Sequence, residues 1–343
     1  MSFADAQVVP DPAIVIDLID GFRRSKTMFA AVALGVFDRL HAEPADAATL
    51  ARDFRANPDA IERLLDACVG LGFLRKQAGT YSNQPVAETY LCRSSSRTLT
   101  GYILYSNKAL YPMWGNLEDA VREGSHRWSQ TFGLDGPIFD HFFKTDEDKR
   151  EFLAGMHGFG LISSPCVAEA FDFSRFRRLV DLGGATGHLA VALCERNPNL
   201  HAMIFDLPRV IEVAKEYIGR ATCRERMELV RGDFFSDPLP AADLFSLGRI
   251  VHDWSEPKIQ SLLKKIFDRL PKGGALLLAE RLLEDVKSGP VSAQMQSLSM
   301  LVCTEGKERT LAEYTALLRQ AGFSSVHGRK TGTPLDAILA CKE

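Results

Sequence analysis

No two cysteines in this sequence have the C-x-x-C spacing of a zinc or redox motif. The seven cysteines, at positions 68, 92, 166, 194, 223, 303 and 341, are scattered and odd in number. That argues against a disulfide framework or a structural metal site, and it predicts no metal and a reducing, cytoplasmic setting. Apolar runs such as ALLLA at 275–279 fall far short of a bilayer span. The opening stretch, MSFADAQVVPDP, lacks the basic and apolar regions of a secretory signal. Positive charge is not in excess either: 41 Lys and Arg face 44 Asp and Glu, a formal net charge of −3. The field that draws a protein to nucleic acid is therefore missing, and neither nucleic acid nor membrane is expected as a partner.

What is there is the composition of a globular chain, 46% hydrophobic and 25% charged over 343 residues, with room for two domains. Residues 1–100 read as helices with a short strand pair. Asp46–Phe54 and Asp59–Gly70 form a helix pair about the turn at Arg55–Pro58, and Phe73–Lys76 and Thr80–Ser82 form a hairpin about Ala78-Gly79. Helix, turn, helix and hairpin predict a winged helix. Its second helix carries Asp59, Glu62 and Asp66 against Arg63 alone, a poor match for phosphates. Dimer packing suits it better. Met28, Phe29, Val32, Val36, Phe37 and Leu40, at helical spacing within Ser25–Leu40, offer an apolar stripe for a homodimer or for the domain's own core. Residues 101–170 read as a helical linker that contributes to a pocket, with Tyr102, Tyr105, Tyr111, Trp114 and Trp128 mostly in the core.

Over residues 171–343 strands and helices alternate, the pattern of a doubly wound parallel sheet. Strands are expected at Leu179–Leu182, Ala202–Asp206, Glu228–Gly232, Leu244–Leu247 and Ala275–Glu280. Helices are expected at Gly187–Asn197, at Pro257–Leu270 with Ser255 as its cap, and at Thr310–Ala321. Ser325–Arg329 and Asp336–Cys341 would close the sheet as an antiparallel hairpin. The first strand runs into DLGGATGH, whose glycines at 183, 184 and 187 do not match G-x-G-x-x-G. Asp181 there would also repel a pyrophosphate. Asp206, ending the second strand, suits ribose hydroxyls. Asp233 and Phe234, after the third, suit an adenine amino group and ring.

With FDLP (205–208), GDFF (232–235), RIVHDW (249–254), PKGG (271–274) and GKER (306–309), the chain resembles the small-molecule O-methyltransferases. That family includes plant caffeate and flavonoid enzymes and bacterial polyketide and phenazine enzymes. The likeness is strongest to its acetylserotonin branch and bacterial relatives. The resemblance implies a winged-helix dimerisation domain before a Rossmann-like catalytic domain that uses S-adenosylmethionine (SAM). It implies cofactor contacts from Gly183, Asp206, Leu207, Gly232, Asp233, Phe234, Arg249 and Met156. It makes His252 the general base, flanked by Glu280 and Glu308, and gives Asp253, Trp254, Ser299 and Met300 to a small aromatic acceptor. The sequence departs from the animal acetylserotonin enzymes at Ser299, where they have asparagine, at Gly160, where an aromatic lies beside their cofactor, and at Phe143, where they have tyrosine. These departures leave the reaction class and open the acceptor.

A phenol has a pKa of about 10 and a free histidine about 6.5, so complete proton transfer before methyl transfer costs roughly 5 kcal/mol. Removal of the proton in concert with attack is the more economical course. The alternatives are a relative that binds SAM but decarboxylates or hydroxylates, a nicotinamide oxidoreductase, and a DNA-binding regulator.

Overall fold

Gly35 takes the left-handed conformation (φ 78°) and splits the first apolar stripe into α1 (Ala13–Leu34) and α2 (Val36–Ala42). The computed structural model describes residues 10–136 and 138–343; most of the opening stretch read for a signal lies outside the described residues. These residues form two compact units, one ending at Asn107 and the other beginning at Lys108.

In the first unit, Val32, Val36, Phe37 and Leu40 are buried in the unit's own core, with Met28 and Phe29 against it. Of the two uses read for the stripe, the structure shows the domain's own core and not a dimer surface. Exposed apolar side chains sit earlier on α1, at Ile14, Val15, Ile16, Leu18, Ile19 and Phe22. The helix pair forms as expected. Asp46 caps α3 (Ala47–Phe54) and Asn57 caps α4 (Pro58–Gly70), each accepting a backbone N–H. A short strand β1 (Ala45–Asp46) joins the hairpin of β2 (Leu74–Gln77) and β3 (Thr80–Asn83) in the order β1-β3-β2. Lys76 of the hairpin binds Glu62 and Asp66 at 3.1 and 2.8 Å, so acids of the second helix tie the wing down. Helices α5 (Pro85–Tyr90) and α6 (Thr100–Tyr105) complete this unit.

The second unit opens with the short helices α7 (Tyr111–Trp114), α8 (Leu117–Glu123), α9 (Trp128–Phe132) and α10 (Ile138–Phe142). The long α11 (Asp146–Glu169) follows, capped by Thr145 and acidic in its first turn. Of the aromatics expected in the core, Trp128 alone is fully buried, its indole N–H donating to the Cys303 carbonyl at 2.9 Å. Tyr111 is exposed and Tyr102, Tyr105 and Trp114 are half-buried.

The sheet strands are β4 (Arg178–Leu182), β5 (His201–Asp206), β6 (Met227–Arg231), β7 (Leu244–Gly248) and β8 (Ala275–Glu280). Two short strands, β9 (Leu282–Leu283) and β10 (Arg309–Thr310), pair in parallel with each other. The chain closes with β11 (Ser325–Arg329) and β12 (Asp336–Cys341). The seven-stranded order is β11-β12-β8-β7-β4-β5-β6. It is parallel from β6 to β8 and antiparallel at β8–β12 and β12–β11. The helices between them are α12 (His188–Arg196), α13 (Pro208–Ile218), α14 (Glu256–Arg269), α15 (Val291–Cys303) and α16 (Leu311–Ala321). Ser255 precedes α14, but its side chain makes no capping bond. Thr310 caps α16 in a full capping box with Glu313.

Alternate residues of the buried strands face opposite layers. Val180, Phe245, Leu276 and Leu278 pack under α14 and α16, whereas Leu179, Leu244, Leu277 and Ala279 pack under α12 and the end of α11. The chain turns back between β4 and β7, and the crevice at their carboxyl ends is where open α/β sheets bind ligands. Leu278→Ala empties a fully buried position in the central sheet. Urea unfolding should show a loss of about 2–5 kcal/mol, and an unchanged midpoint would refute this account of the core.

Candidate active site

The turn after β4 is shaped from below. Asp181 lies beneath it, 2% exposed, and accepts the Ser246 hydroxyl at 2.6 Å. Burial raises its pKa to about 7. It supports the turn rather than facing a ligand. Gly183 has φ +66°, and a Cβ there would lie 2.6 Å from Ile250 Cδ1 and 3.3 Å from Phe234 Cε1. Phe234 thus folds back from the β6 end over the turn.

Asp206 ends β5 and is 9% exposed. Its two oxygens accept the Ala185 N–H at 2.8 Å and the Leu207 N–H at 2.7 Å. Burial lifts its pKa to about 6 against the pull of these amides. Ala185 itself is held at φ +50°. Asp233 accepts the Phe235 N–H at 2.8 Å through Oδ1. A Cβ at Gly232 would lie 2.2 Å from the Phe205 ring, so packing alone demands that glycine. Lys265 of α14, which the sequence reading missed, donates to the carbonyls of Phe234, Phe235 and Asp237 at 2.9, 3.0 and 2.6 Å. It fixes the loop after β6 from the neighbouring layer.

Arg249 follows β7 with φ 58°, a conformation rare outside glycine. Its guanidinium stands 5.6 Å from the Phe159 ring, and its Nε and Nη1 are buried without a hydrogen-bond partner. A buried cation with idle N–H groups calls for an anion. Met156, half-buried on α11, is one turn before Phe159 and Gly160 and shares their side of the helix. Carboxylates at the ends of β5 and β6, an aromatic ring over the turn and an unpaired guanidinium beyond β7 fit a ligand with ribose, base and amino-acid ends.

His252 sits in the short turn Val251–Asp253 and is 3% exposed. Its Nδ1 lies 2.7 Å from Glu308 Oε1 and 3.5 Å from Glu280 Oε2. Its Nε2 lies 3.6 Å from Asp253 Oδ1. Glu280, ending β8, accepts the N–H groups of Ile250 and Val251 at 3.1 and 2.8 Å, and so holds the histidine-bearing turn directly. Glu308 arrives because β10 pairs with β9 beside it. Gly306 permits that approach: a Cβ there would lie 2.1 Å from the His252 carbonyl oxygen. Burial opposes charge on the imidazole, but Glu308, Glu280 and Asp253 outweigh it and push its pKa up to about 9. Burial likewise raises Glu280 to about 7 and Asp253 to about 6. The gap to a phenol narrows to the order of 1–2 kcal/mol.

Trp254 meets Phe235 edge-to-face and Phe139 at a tilt, with ring centroids 4.9 and 5.6 Å away, and its indole N–H is buried without a partner. Ser299 and Met300 are buried on α15, and Cys303 donates to the Ser299 carbonyl at 2.8 Å. The Asp253 carbonyl accepts the Glu305 N–H at 3.2 Å, which places the end of the histidine turn beside the segment that follows α15. His157 and His188, also missed in the sequence, flank the glycine turn from α11 and α12. No spacing marks them, although His188 closes DLGGATGH. At Gly160 the His188 ring takes the space a side chain would need, 2.2 Å from where a Cβ would sit.

Comparison with known proteins accords with this geometry. Residues 114–324 match the O-methyltransferase domain and residues 16–93 the O-methyltransferase dimerisation domain. Acetylserotonin O-methyltransferase of Gallus gallus is 40% identical over 338 residues, covering 96% of this chain and 97% of that protein. The crystal structure of human N-acetylserotonin methyltransferase in complex with SAM superposes with a TM-score of 0.92 at 36% identity, over 99% of both chains. PigF with SAH gives 0.89 at 30% identity, over 97% of this chain and all of that one. Together, a helical dimerisation domain, a mostly parallel methyltransferase sheet and these relatives establish that the chain belongs to the O-methyltransferase family and is a SAM-dependent O-methyltransferase.

Proposed function

We propose that this enzyme methylates a hydroxyl on a small aromatic molecule, of the hydroxyindole, phenol or polyketide type, with His252 as its base. The observation that carries the reading is a buried imidazole whose Nδ1 faces both Glu308 and Glu280, beside the carboxyl ends of β7 and β8. SAM supplies an electrophilic methyl group on a sulfonium. Gly183, Asp206, Leu207, Gly232, Asp233, Phe234, Arg249 and Met156 form its site, with Asp206 taking the ribose hydroxyls and Asp233 the adenine amino group. His252 Nε2 takes the acceptor's proton while Glu308 accepts the Nδ1–H and stabilises the resulting cation. Glu280 holds the turn that aims the ring. Asp253, Trp254, Ser299 and Met300 shape the acceptor pocket, roofed by helices of the 101–170 segment that lie beyond Lys108. Residues 1–100 serve dimerisation and residues 171–343 catalysis. None of the helices in the described residues is long and apolar enough to cross a membrane, and we place the enzyme in the cytoplasm.

Asp206→Ala should weaken SAM binding by about 2–4 kcal/mol, roughly 30- to 700-fold, in isothermal titration. Unchanged affinity in a folded variant would sink that assignment. A mass-spectrometric screen of phenols, hydroxyindoles and hydroxyquinones for a gain of one methyl group tests the acceptor class. On the acceptor so found, His252→Gln should lower turnover about 10²–10⁴-fold at neutral pH. A base with a raised pKa is mostly protonated at pH 7, so wild-type activity should climb with pH until about 9. A plateau already reached near pH 6.5, or equal rates for both proteins, would remove His252 from the role.

The homodimer is proposed to form through the exposed apolar face of α1. Light scattering should give twice the chain mass for the wild type and the single-chain mass for Ile16→Asp/Ile19→Asp. A wild type that is monomeric at micromolar concentration would refute it.

A further inference from the structure

Two histidine–hydroxyl bonds fasten α11 to the segment after β4, and they run crosswise. His157 of the helix reaches Thr186 of the turn, with Nδ1 2.9 Å from Oγ1. His188, the first residue of α12, reaches back to Ser164 of the helix, with Nδ1 2.9 Å from Oγ. Burial lowers the pKa of His157 to about 4 and that of His188 to about 3. Both rings are therefore neutral near pH 7, and each carries a single N–H.

The two rings differ in what they have left to offer. His157 packs against Tyr217, with ring centroids 4.3 Å apart. His188 lies over Gly160, close enough to Arg249 for that charge to lower its pKa. Among the described residues its Nε2 makes no hydrogen bond. The buried Nε and Nη1 of Arg249 are equally without a partner. Arg249 stands over the Phe159 ring and the His188 ring lies against Gly160, the next residue of α11, so a neutral donor and a cation with idle N–H groups face neighbouring positions of one helix near the start of α12, where the helix dipole also favours negative charge.

The strand order says which part of a ligand lies there. Asp206 and Asp233 follow β5 and β6, on one side of β4, while Arg249 follows β7, on the other. A ligand with its ribose and base over β5 and β6 carries its amino-acid end toward β4 and β7. Resting on the cofactor site argued above, we propose that His188 is a further cofactor-binding residue, its Nε2–H donating to the carboxylate of the methionyl end alongside Arg249. Ser164 fixes the tautomer by donating its hydroxyl proton to Nδ1, and Gly160 leaves room for the ring.

The test is isothermal titration of S-adenosylhomocysteine and of methylthioadenosine, which lacks the amino-carboxylate, into the full chain. His188→Ala should weaken S-adenosylhomocysteine roughly 10- to 100-fold and leave methylthioadenosine within about twofold. His188→Gln, whose side-chain amide can place an N–H near the Nε2 position, should recover much of the loss. Equal weakening of both ligands would mean that His188 only packs the turn, and no weakening of either would mean that it does not touch the ligand. Each of these overturns the proposal. Asp206→Ala, run in parallel, separates the two readings: if it weakens both ligands while His188→Ala weakens neither, the cofactor site stands and the His188 contact falls. A wild type that binds neither ligand removes both.

Discussion

A histidine sealed from bulk water holds a positive charge only if carboxylates come to it, and carboxylates sealed with it tolerate their own charge only in its presence. That mutual need organises the catalytic unit. Glu280 has to end the strand beside the one that leads to His252, so β8 must neighbour β7. Glu308 has to return from beyond α15, so β10 must pair with β9. Gly306 has to lack a side chain, so that the returning segment can touch the His252 carbonyl. The remaining oxygens, Glu280 Oε2 and Glu308 Oε2, are buried without hydrogen bonds. The cluster therefore holds more negative charge than its fixed partners satisfy, which is what raises the basicity of the imidazole.

Much of this was legible in the sequence, and for identifiable reasons. Strands buried on both faces are short apolar runs with sharp ends, so β4, β5, β7 and β8 were found within a residue or so. Asp206 drew notice because an acid ends an apolar run there, and Asp233 because it follows the glycine after the next strand. His252 and Glu308 lie 56 residues apart, and no local pattern joins them; resemblance to a family supplied that pair. The stripe at Ser25–Leu40 stayed open between core and dimer surface because periodicity reports that a face is buried, not what buries it. Its exposed counterpart on α1 shows the same periodicity, and three-dimensional packing alone tells the two apart. β1 left no trace, since two residues carry no period.

The histidines at 157 and 188 were illegible for another reason. Each is ordinary in its own segment: His157 gains its meaning from Thr186 in the glycine turn, and His188 from a glycine 28 residues earlier that leaves a ring-sized gap in a different helix. Size complementarity between distant positions has no signature in a single chain. Lys265 is similar. It reads as one more polar residue on the outer face of α14, yet it gathers three carbonyls from the loop after β6.

The strand order carries a consequence for how the chain is made. β12 lies inside the sheet, between β8 and β11, and its Asp336 stands opposite Glu280. While a ribosome is still synthesising the protein, β8 has its β7 neighbour but an open flank, and every residue of that strand is destined for burial. An unsatisfied apolar strand edge is an adhesive surface. Nascent chains that stall or are cut short before β12 should therefore be conspicuous clients for chaperones and proteases, although all the residues of the proposed site have already been joined.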